Sequence, residues 1–446
     1  MKIVDRISSK SSFIFALAGA AIGLGNIWRF PYIAAENGGG IFFLTYIVFI
    51  LLLGIPVMAC EIIIGKIGRS SPTECIQLIA QQTNKSSHWS KLAWLGLTTS
   101  TIVLSFYAVI SGIIIYYLIQ SICGLHVSNF NDSHIIFNRI QQSPISLMGF
   151  NTLFIALTFI ISARKISEGI GKLNYLMMPV MYCLLIALVI YASKLDGFKQ
   201  ALIYLLDFKT KDLSANMIIE AMGHSLFTLA AGACCLIAYG AYMPTKQSIL
   251  KSIAIVVVMD VLVAILVGVI TFSIIFSENI PPTAGPGLMF LSLPVALSKI
   301  SMGNIIQTIF FFLLLSASWT SSVNLAEPLI LNIQKYFKLS RAKSATASAI
   351  IVLVLSVIPC LALSLWGDVK PIFNKSIFNL YTDIAADILL PITGLLILMF
   401  TAKAISVKKL ASELTVAPNY ANLFMLIIKY ISPILVILLI ISGIVF

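Results

Sequence analysis

Two stretches of small residues interrupt otherwise apolar segments of this chain, Gly19-Ala-Ala-Ile-Gly-Leu-Gly25 and Leu229-Ala-Ala-Gly-Ala233. Glycine costs a helix interior about 1 kcal/mol relative to alanine. Unwound backbone at membrane depth is tolerated only where protein or a cavity surrounds it. Amides freed at such a break, together with a half-helix N-terminus, offer donors to an anionic carboxylate. Two breaks in corresponding positions of two halves point to a binding site at the midplane. Close helix packing is the other use of small residues, and glycine content alone does not separate the two.

Other residues with chemistry lie in the same kind of apolar surroundings. Asp260 is the one charge within its segment. A carboxylate at the bilayer centre costs about 2.5–3.5 kcal/mol on the insertion scale, so it requires a partner. Thr320 and Ser321 are adjacent hydroxyls, of the kind that most often bond back to their own helix. His224 either senses protons or hydrogen-bonds inside the bundle. Gly169 and Pro179, ten positions apart, weaken one end of their segment, which either unwinds there as a hinge or carries a static kink.

The elements that hold these residues are membrane spans. Of 446 residues, 59% are hydrophobic and 10% charged, against about 45–50% and about 25% in soluble domains. Apolar stretches long enough to cross a core of about 30 Å begin near Phe13, Ile41, Leu92, Ile145, Leu173, Asn216, Ile249, Ile305, Ala347, Ile377 and Leu423. That makes eleven spans in one transmembrane domain, residues 1–446. The first carries Asn26, Arg29 and Pro31 without a clean small-residue cleavage site, so it reads as a retained helix rather than a signal peptide.

The net charge of +12 does not indicate nucleic acid. With the N-terminus inside, nineteen of the 29 Lys and Arg fall in inside loops and eight in outside loops, the bias of the positive-inside rule. Eleven spans then put the C-terminus outside. The seven cysteines show neither metal-ligand spacing nor a disulfide framework. The connector from Glu278 to Lys299, with Pro281-Pro282 and Gly285-Pro286-Gly287, reads as a lid over an outer vestibule.

Gly19 to Tyr32, reading GAAIGLGNIWRFPY, followed by Glu36-Asn-Gly-Gly-Gly40, closely resembles the signature of the neurotransmitter:sodium symporter family. Gly54-Ile-Pro56, Glu61, Phe106-Tyr107, Gly285-Pro-Gly-Leu288, Thr320-Ser-Ser322 and Ile388-Leu-Leu-Pro391 extend the resemblance over nearly the whole chain. It implies an all-α polytopic membrane protein with the leucine-transporter fold. Residues 8–200 (helices 1–5) and 201–402 (helices 6–10) would be inverted repeats, helices 1 and 6 unwound, and residues 415–446 an eleventh helix.

The resemblance also implies the site. The substrate carboxylate would meet the amides of Leu24 and Gly25 and the Tyr107 hydroxyl. A first sodium site maps onto Ala21, Asn26, Thr228 and Asp260. A second maps onto Gly19, Ile22, Ala317, Thr320 and Ser321. The substrate set is Ala21, Gly23, Leu24, Gly25, Val103, Tyr107, Phe227, Thr228, Ala230, Gly232, Ala233, Ser321 and Leu325. Relatives that carry monoamines have an aspartate at the Gly23 position, so Gly23 favours an amino acid. The mostly apolar lining, with Ala230 and Ala233 small, favours a neutral hydrophobic or aromatic one. Many relatives have asparagine where Asp260 stands, and Ala264 occupies their acid or chloride-contact position. Asp260 is therefore expected to supply both ligand and charge, making transport independent of chloride.

At the gates the sequence departs from the family. Thr382 holds the usual acid position, so Asp383 is expected to pair with Arg29 at the outer gate. At the inner gate Tyr242 matches and Arg6 remains, but Lys335 stands where an aspartate is common. The expected activity is symport of an amino acid into the cell by alternating access, with two sodium ions. The expected place is a bacterial inner membrane, as a monomer or homodimer in the lipid bilayer, with no nucleic-acid partner. A passive channel would show a polar stripe or carbonyl filter, and neither is visible. A sensor that binds without transporting is conceivable from the altered gates. An intramembrane enzyme lacks any His-Glu-x-x-His motif or convincing carboxylate pair.

Overall fold

The computed structural model describes residues 7–445 apart from 8, 126, 209, 210, 212, 281–286 and 373. The chain is a helical bundle. We number its spans α1 (Lys10–Ala21 with Gly25–Glu36), α2 (Gly40–Gly68), α3 (Ser87–Ile122), α4 (Pro144–Ser162), α5 (Ile170–Ala192), α6 (Ala215–Thr228 with Cys235–Tyr242), α7 (Ile249–Ser277), α8 (Gly303–Tyr336), α9 (Arg341–Leu363), α10 (Ile377–Ala404) and α11 (Pro418–Gly443). Among the described residues nine helices are long and apolar enough to cross a membrane, and ten if the bent first pair is one span. The eleventh expected span is α6, whose two pieces of 14 and 8 residues are each too short to cross alone.

Serines set where many of these helices begin. Ser9, Ser143, Ser214, Ser248, Ser340 and Ser376 each accept a backbone N–H three residues on, at the starts of α1, α4, α6, α7, α9 and α10. Each bond satisfies one of the donors a helix N-terminus leaves free. The spans begin within a few residues of the expected apolar stretches, and up to six residues earlier at Arg341 and five at Pro418, because helix continues through polar residues that flank the apolar run.

The two most buried long helices, α3 and α8, pack against each other through the middle of the bundle. α5, α9 and α11 lie at its periphery and turn Ile186, Ile350, Val354, Tyr430 and Ile434 outward. Lipid can cover such side chains, so their exposure carries no hydrophobic cost there.

Both expected breaks are present. The two halves of α1 meet at 47°. α6 is interrupted from Leu229 to Cys234, where Ala230, Gly232 and Cys234 take positive φ of 49°, 98° and 58°. Gly232 is the one of the three without a Cβ to strain. A Cβ there would also lie 2.5 Å from the Leu390 carbonyl oxygen.

The second break is held by Glu61 of α2. Its carboxylate accepts the Gly232 N–H at 2.7 Å and the Leu236 N–H at 3.1 Å and has no exposed surface. Charge-assisted bonds to backbone N–H groups offset the cost of burying both the acid and the freed amides.

Candidate substrate and ion site

A pocket lies between the two breaks. Its walls include Ala21, Gly23, Leu24, Gly25, Val103, Tyr107, Phe227, Thr228, Ala230, Ala233, Ser321 and Leu325, all expected, together with Ala20 and Leu390, which were not. Gly232 is the correction. It does not line the pocket, because its amide turns to Glu61 and its α-carbon abuts α10. Its glycine is required by backbone geometry.

At one side of the pocket the Leu24 N–H donates to the Tyr107 hydroxyl at 3.1 Å. A Cβ on Gly23 would come within 2.3 Å of Ser321 Oγ and 2.7 Å of the same Tyr107 oxygen. The floor is therefore polar and cannot take a side chain at Gly23. No charged side chain is among the lining residues.

Asp260 gathers the first group of ion candidates. Asn26 Nδ2 donates to Asp260 Oδ1 at 2.8 Å, Thr228 Oγ1 to the same oxygen at 3.0 Å, and the Tyr46 hydroxyl to Oδ2 at 2.5 Å. Asn26 Oδ1 accepts the Gly23 N–H at 3.2 Å, which fixes which way its amide faces. The carboxylate thus has the partners its burial demands. His224 lies beside this group, its ring 4.9 Å from that of Tyr46 and also against Phe30 and Phe42. Neither ring nitrogen has a hydrogen-bond partner among the described residues, so of the two readings given for it the hydrogen bond inside the bundle is not seen there.

The second group converges on Ser321. Its hydroxyl lies 3.0 Å from the Gly19 carbonyl oxygen and 2.9 Å from that of Ile22, joining α8 to the end of the first half of α1. Thr320 donates to Ala317 of its own helix at 2.9 Å. Carbonyl and hydroxyl oxygens at an unwound helix are a donor set suited to sodium.

At the end where α1 leaves the pocket, Arg29 stacks over the Phe227 ring at 4.7 Å and its guanidinium lies 3.8 Å from Asp387. Asp383, expected as its partner, pairs instead with Lys375 at 2.9 Å. Asp383 and Asp387, four residues apart on α10, share one face of the helix, and both line the cavity beside Arg29, but it is the acid one turn further along that comes within ion-pair distance of the guanidinium.

At the other end Tyr242 hydrogen-bonds Glu327, a buried acid of α8. Arg341 grips that carboxylate with two bonds of 2.8 and 2.6 Å, and its Nε donates to the Arg164 carbonyl at 2.5 Å. The Ile7 N–H donates to the Tyr242 carbonyl at 3.1 Å. Arg6 lies outside the described residues, as do residues 281–286 of the expected lid. Gly169 immediately precedes α5 and Pro179 lies within it.

Glu61, Glu327, Arg341 and Asp387 were not assigned roles from sequence. The signal was there for the two glutamates, since each is an acid inside an apolar span and needs donors. Which donors depends on helices far away in the chain.

A helical membrane bundle with two broken helices around a mid-depth pocket has the architecture of a secondary transporter. The profile of the sodium:neurotransmitter symporter family matches residues 5–143 and 138–446. The chain belongs to that family and is a transporter, not an enzyme. It is 32% identical over 439 residues to an uncharacterised sodium-dependent transporter, YhdH, of Bacillus subtilis, covering 97% of this chain and 96% of the relative. An uncharacterised sodium-dependent transporter of Haemophilus influenzae is 29% identical over 452 residues, covering 98% and 97%. The crystal structure of MhsT in complex with L-phenylalanine superposes with a TM-score of 0.90 at 30% identity, covering 98% of this chain and 99% of that one. The expected leucine-transporter architecture is therefore the fold observed.

Proposed function

We propose that the protein carries a neutral hydrophobic or aromatic amino acid into the cell together with two sodium ions and without chloride. The observation that carries this reading is the pocket's division into a polar floor, at Leu24, Gly25 and Tyr107, and apolar walls with no charged side chain. The floor suits a carboxylate and the walls an uncharged side chain. The ligand of MhsT, L-phenylalanine, supports the substrate class.

The first ion takes oxygens from Ala21, Asn26, Thr228 and Asp260, and the second from Gly19, Ile22, Ala317, Thr320 and Ser321. Asp260 supports chloride independence, since a fixed anion already lies among the first site's residues. Residues 8–200 and 201–402 act as inverted repeats that rock about the site. Arg29 with Asp387 closes the outer side, and Tyr242, Glu327 and Arg341 the inner side. Loosening of α5 between Gly169 and Pro179 opens the inner side. The loops rich in Lys and Arg face the cytoplasm and the C-terminus lies outside.

Two sodium ions with one zwitterion carry two charges. At 100 mV that contributes about 4.6 kcal/mol, from about 2.3 kcal/mol per charge, or about a thousandfold accumulation. Proteoliposome uptake across a panel of amino acids, with sodium and chloride varied separately, tests the reading. Saturable, sodium-driven, chloride-independent uptake of Phe, Trp, Leu or Ile is expected. A preference for glycine, or a chloride requirement, would overturn it.

A further inference from the structure

A second cavity, apart from the substrate pocket, opens where α3 begins and α10 ends. Its volume is about 380 Å³, within the range of about 300–1,000 Å³ common for small-ligand clefts. Leu92 and Leu95 of α3 and Leu396 of α10 form its apolar part. Ser86, His88 and Lys91 form its polar part, and Trp89 also stands in the wall.

The two helices give the cavity this division. Trp89 packs on Phe400 with ring centroids 5.5 Å apart, Thr99 lies 3.5 Å from Thr393, and Ser105 lies 2.8 Å from Tyr381, so α3 and α10 run antiparallel. Leu95 is about one turn deeper than Lys91, and Leu396 about two turns deeper than Lys403. Both helices therefore bring leucine inward and lysine to the mouth. Lys403 lies over the Trp89 ring, its Nζ 5.6 Å from the centroid.

The mouth is basic. Lys91 and Lys403 are exposed, and among the described residues neither pairs with an acid. No acid lines the cavity. Glu413, the first acid in the chain after α10, is already held by Lys66 and Lys409. Just past Lys91 the exposed rings of Trp94 and Tyr336 meet edge to face at 6.0 Å. Tryptophan and tyrosine collect at the membrane–water interface, which sets this mouth at the level of lipid headgroups.

A free anion would leave the leucines without a partner, and an apolar chain alone would leave two cations over it. A ligand with both parts, at headgroup depth, is a phospholipid of net negative charge. We propose that the cavity binds such a lipid from the adjoining leaflet, its phosphate between Lys91 and Lys403 and the start of an acyl chain on Leu92, Leu95 and Leu396. Basic pockets between membrane helices take anionic headgroups in this way, and lysine stems lie along apolar surface while their ammonium groups reach outward. The lipid bridges α3, which carries Val103 and Tyr107 of the substrate pocket, and α10, which carries Leu390 and Asp387. It would bind whatever substrate or ions the protein carries.

Trp89 supplies the test, since it lines the cavity. The full-length protein is reconstituted in phosphatidylcholine vesicles, into which phosphatidylglycerol or phosphatidylcholine, each brominated on an acyl chain, is titrated. Bromine quenches nearby tryptophan, and the quenching lost in W89F is that of Trp89. Wild type is expected to favour the phosphatidylglycerol at this place about tenfold, and K91Q/K403Q to bind the two lipids alike. Both lysines are exposed, so the double variant should keep the wild-type melting temperature. Equal quenching by the two lipids in wild type, or an undiminished preference in the double variant, overturns the proposal. Should that variant not fold, the wild-type comparison alone decides. Relief of the quenching by added inorganic phosphate would mean that the lysines take a free anion, and overturns the lipid. Trp89 quenched by neither lipid would mean that protein, such as a second copy of the chain, covers the cavity, and overturns it equally.

Discussion

The side-chain amide of Asn26, just past the break in α1, donates to Oδ1 of Asp260 in the middle of α7 at 2.8 Å, joining residues 234 positions apart. Thr228 reaches the same oxygen from α6 and Tyr46 the other oxygen from α2. One carboxylate thus ties four helices together where the first sodium ion is proposed to bind.

Replacing Asp260 by Asn keeps the hydrogen-bonding shape and removes the charge. Sodium affinity in chloride-free buffer is expected to fall about tenfold or more, near 1.4 kcal/mol, and added chloride to restore part of it. Sodium titration of substrate binding, with gluconate against chloride, measures both effects. Unchanged affinity would show that the charge is not used for the ion.

Glu61 bonds the break of α6 through two amides. Glu61→Ala leaves those donors buried and unpaired, at about 1–3 kcal/mol each. Glu61→Gln retains one acceptor oxygen and loses less. Thermal unfolding in detergent should rank wild type above Glu61→Gln and Glu61→Gln above Glu61→Ala.

At Gly23 even a methyl group meets Ser321 Oγ and the Tyr107 hydroxyl. Gly23→Ala is expected to weaken substrate binding about tenfold or more, with a smaller change in melting temperature. Radioligand binding beside a thermal melt separates the two.

The ion pairs at the outer end make opposite predictions for two neighbouring acids. Asp387→Asn removes the acid that pairs with Arg29 and should slow net uptake several-fold, whereas Asp383→Asn disturbs a half-exposed pair with Lys375, of a kind worth about 0–1 kcal/mol. Proteoliposome uptake by both variants decides between them.

Outside the spans, Glu413 lies 3.0 Å from Lys66 and 2.9 Å from Lys409. Burial pushes its carboxyl up, but the hydrogen bonds and charges of the two lysines outweigh this and hold it below the usual carboxylate range. Its contribution to stability is therefore full above the ordinary glutamate pKa and is lost as pH falls through the lowered folded value. Glu413→Gln should lower the melting temperature at pH 7 and make little difference in acid below that value, which a pH series of thermal melts would record.

The spans and the two breaks were legible in the sequence, because length, apolarity and small-residue runs act over neighbouring positions. Much of the pocket lining was legible too, through the motif around Gly19 to Tyr32 and the residues that accompany it. What only the tertiary structure decided is which polar groups meet across the bundle. Asp387 rather than Asp383 pairs with Arg29, the Gly232 amide turns to Glu61, and Glu327 finds Tyr242 and Arg341. Within a membrane each buried charge or freed amide must find a partner, but its identity depends on the rotation and depth of helices far apart in the chain. A shift of a few residues on one helix changes that identity while leaving the apolar pattern nearly the same.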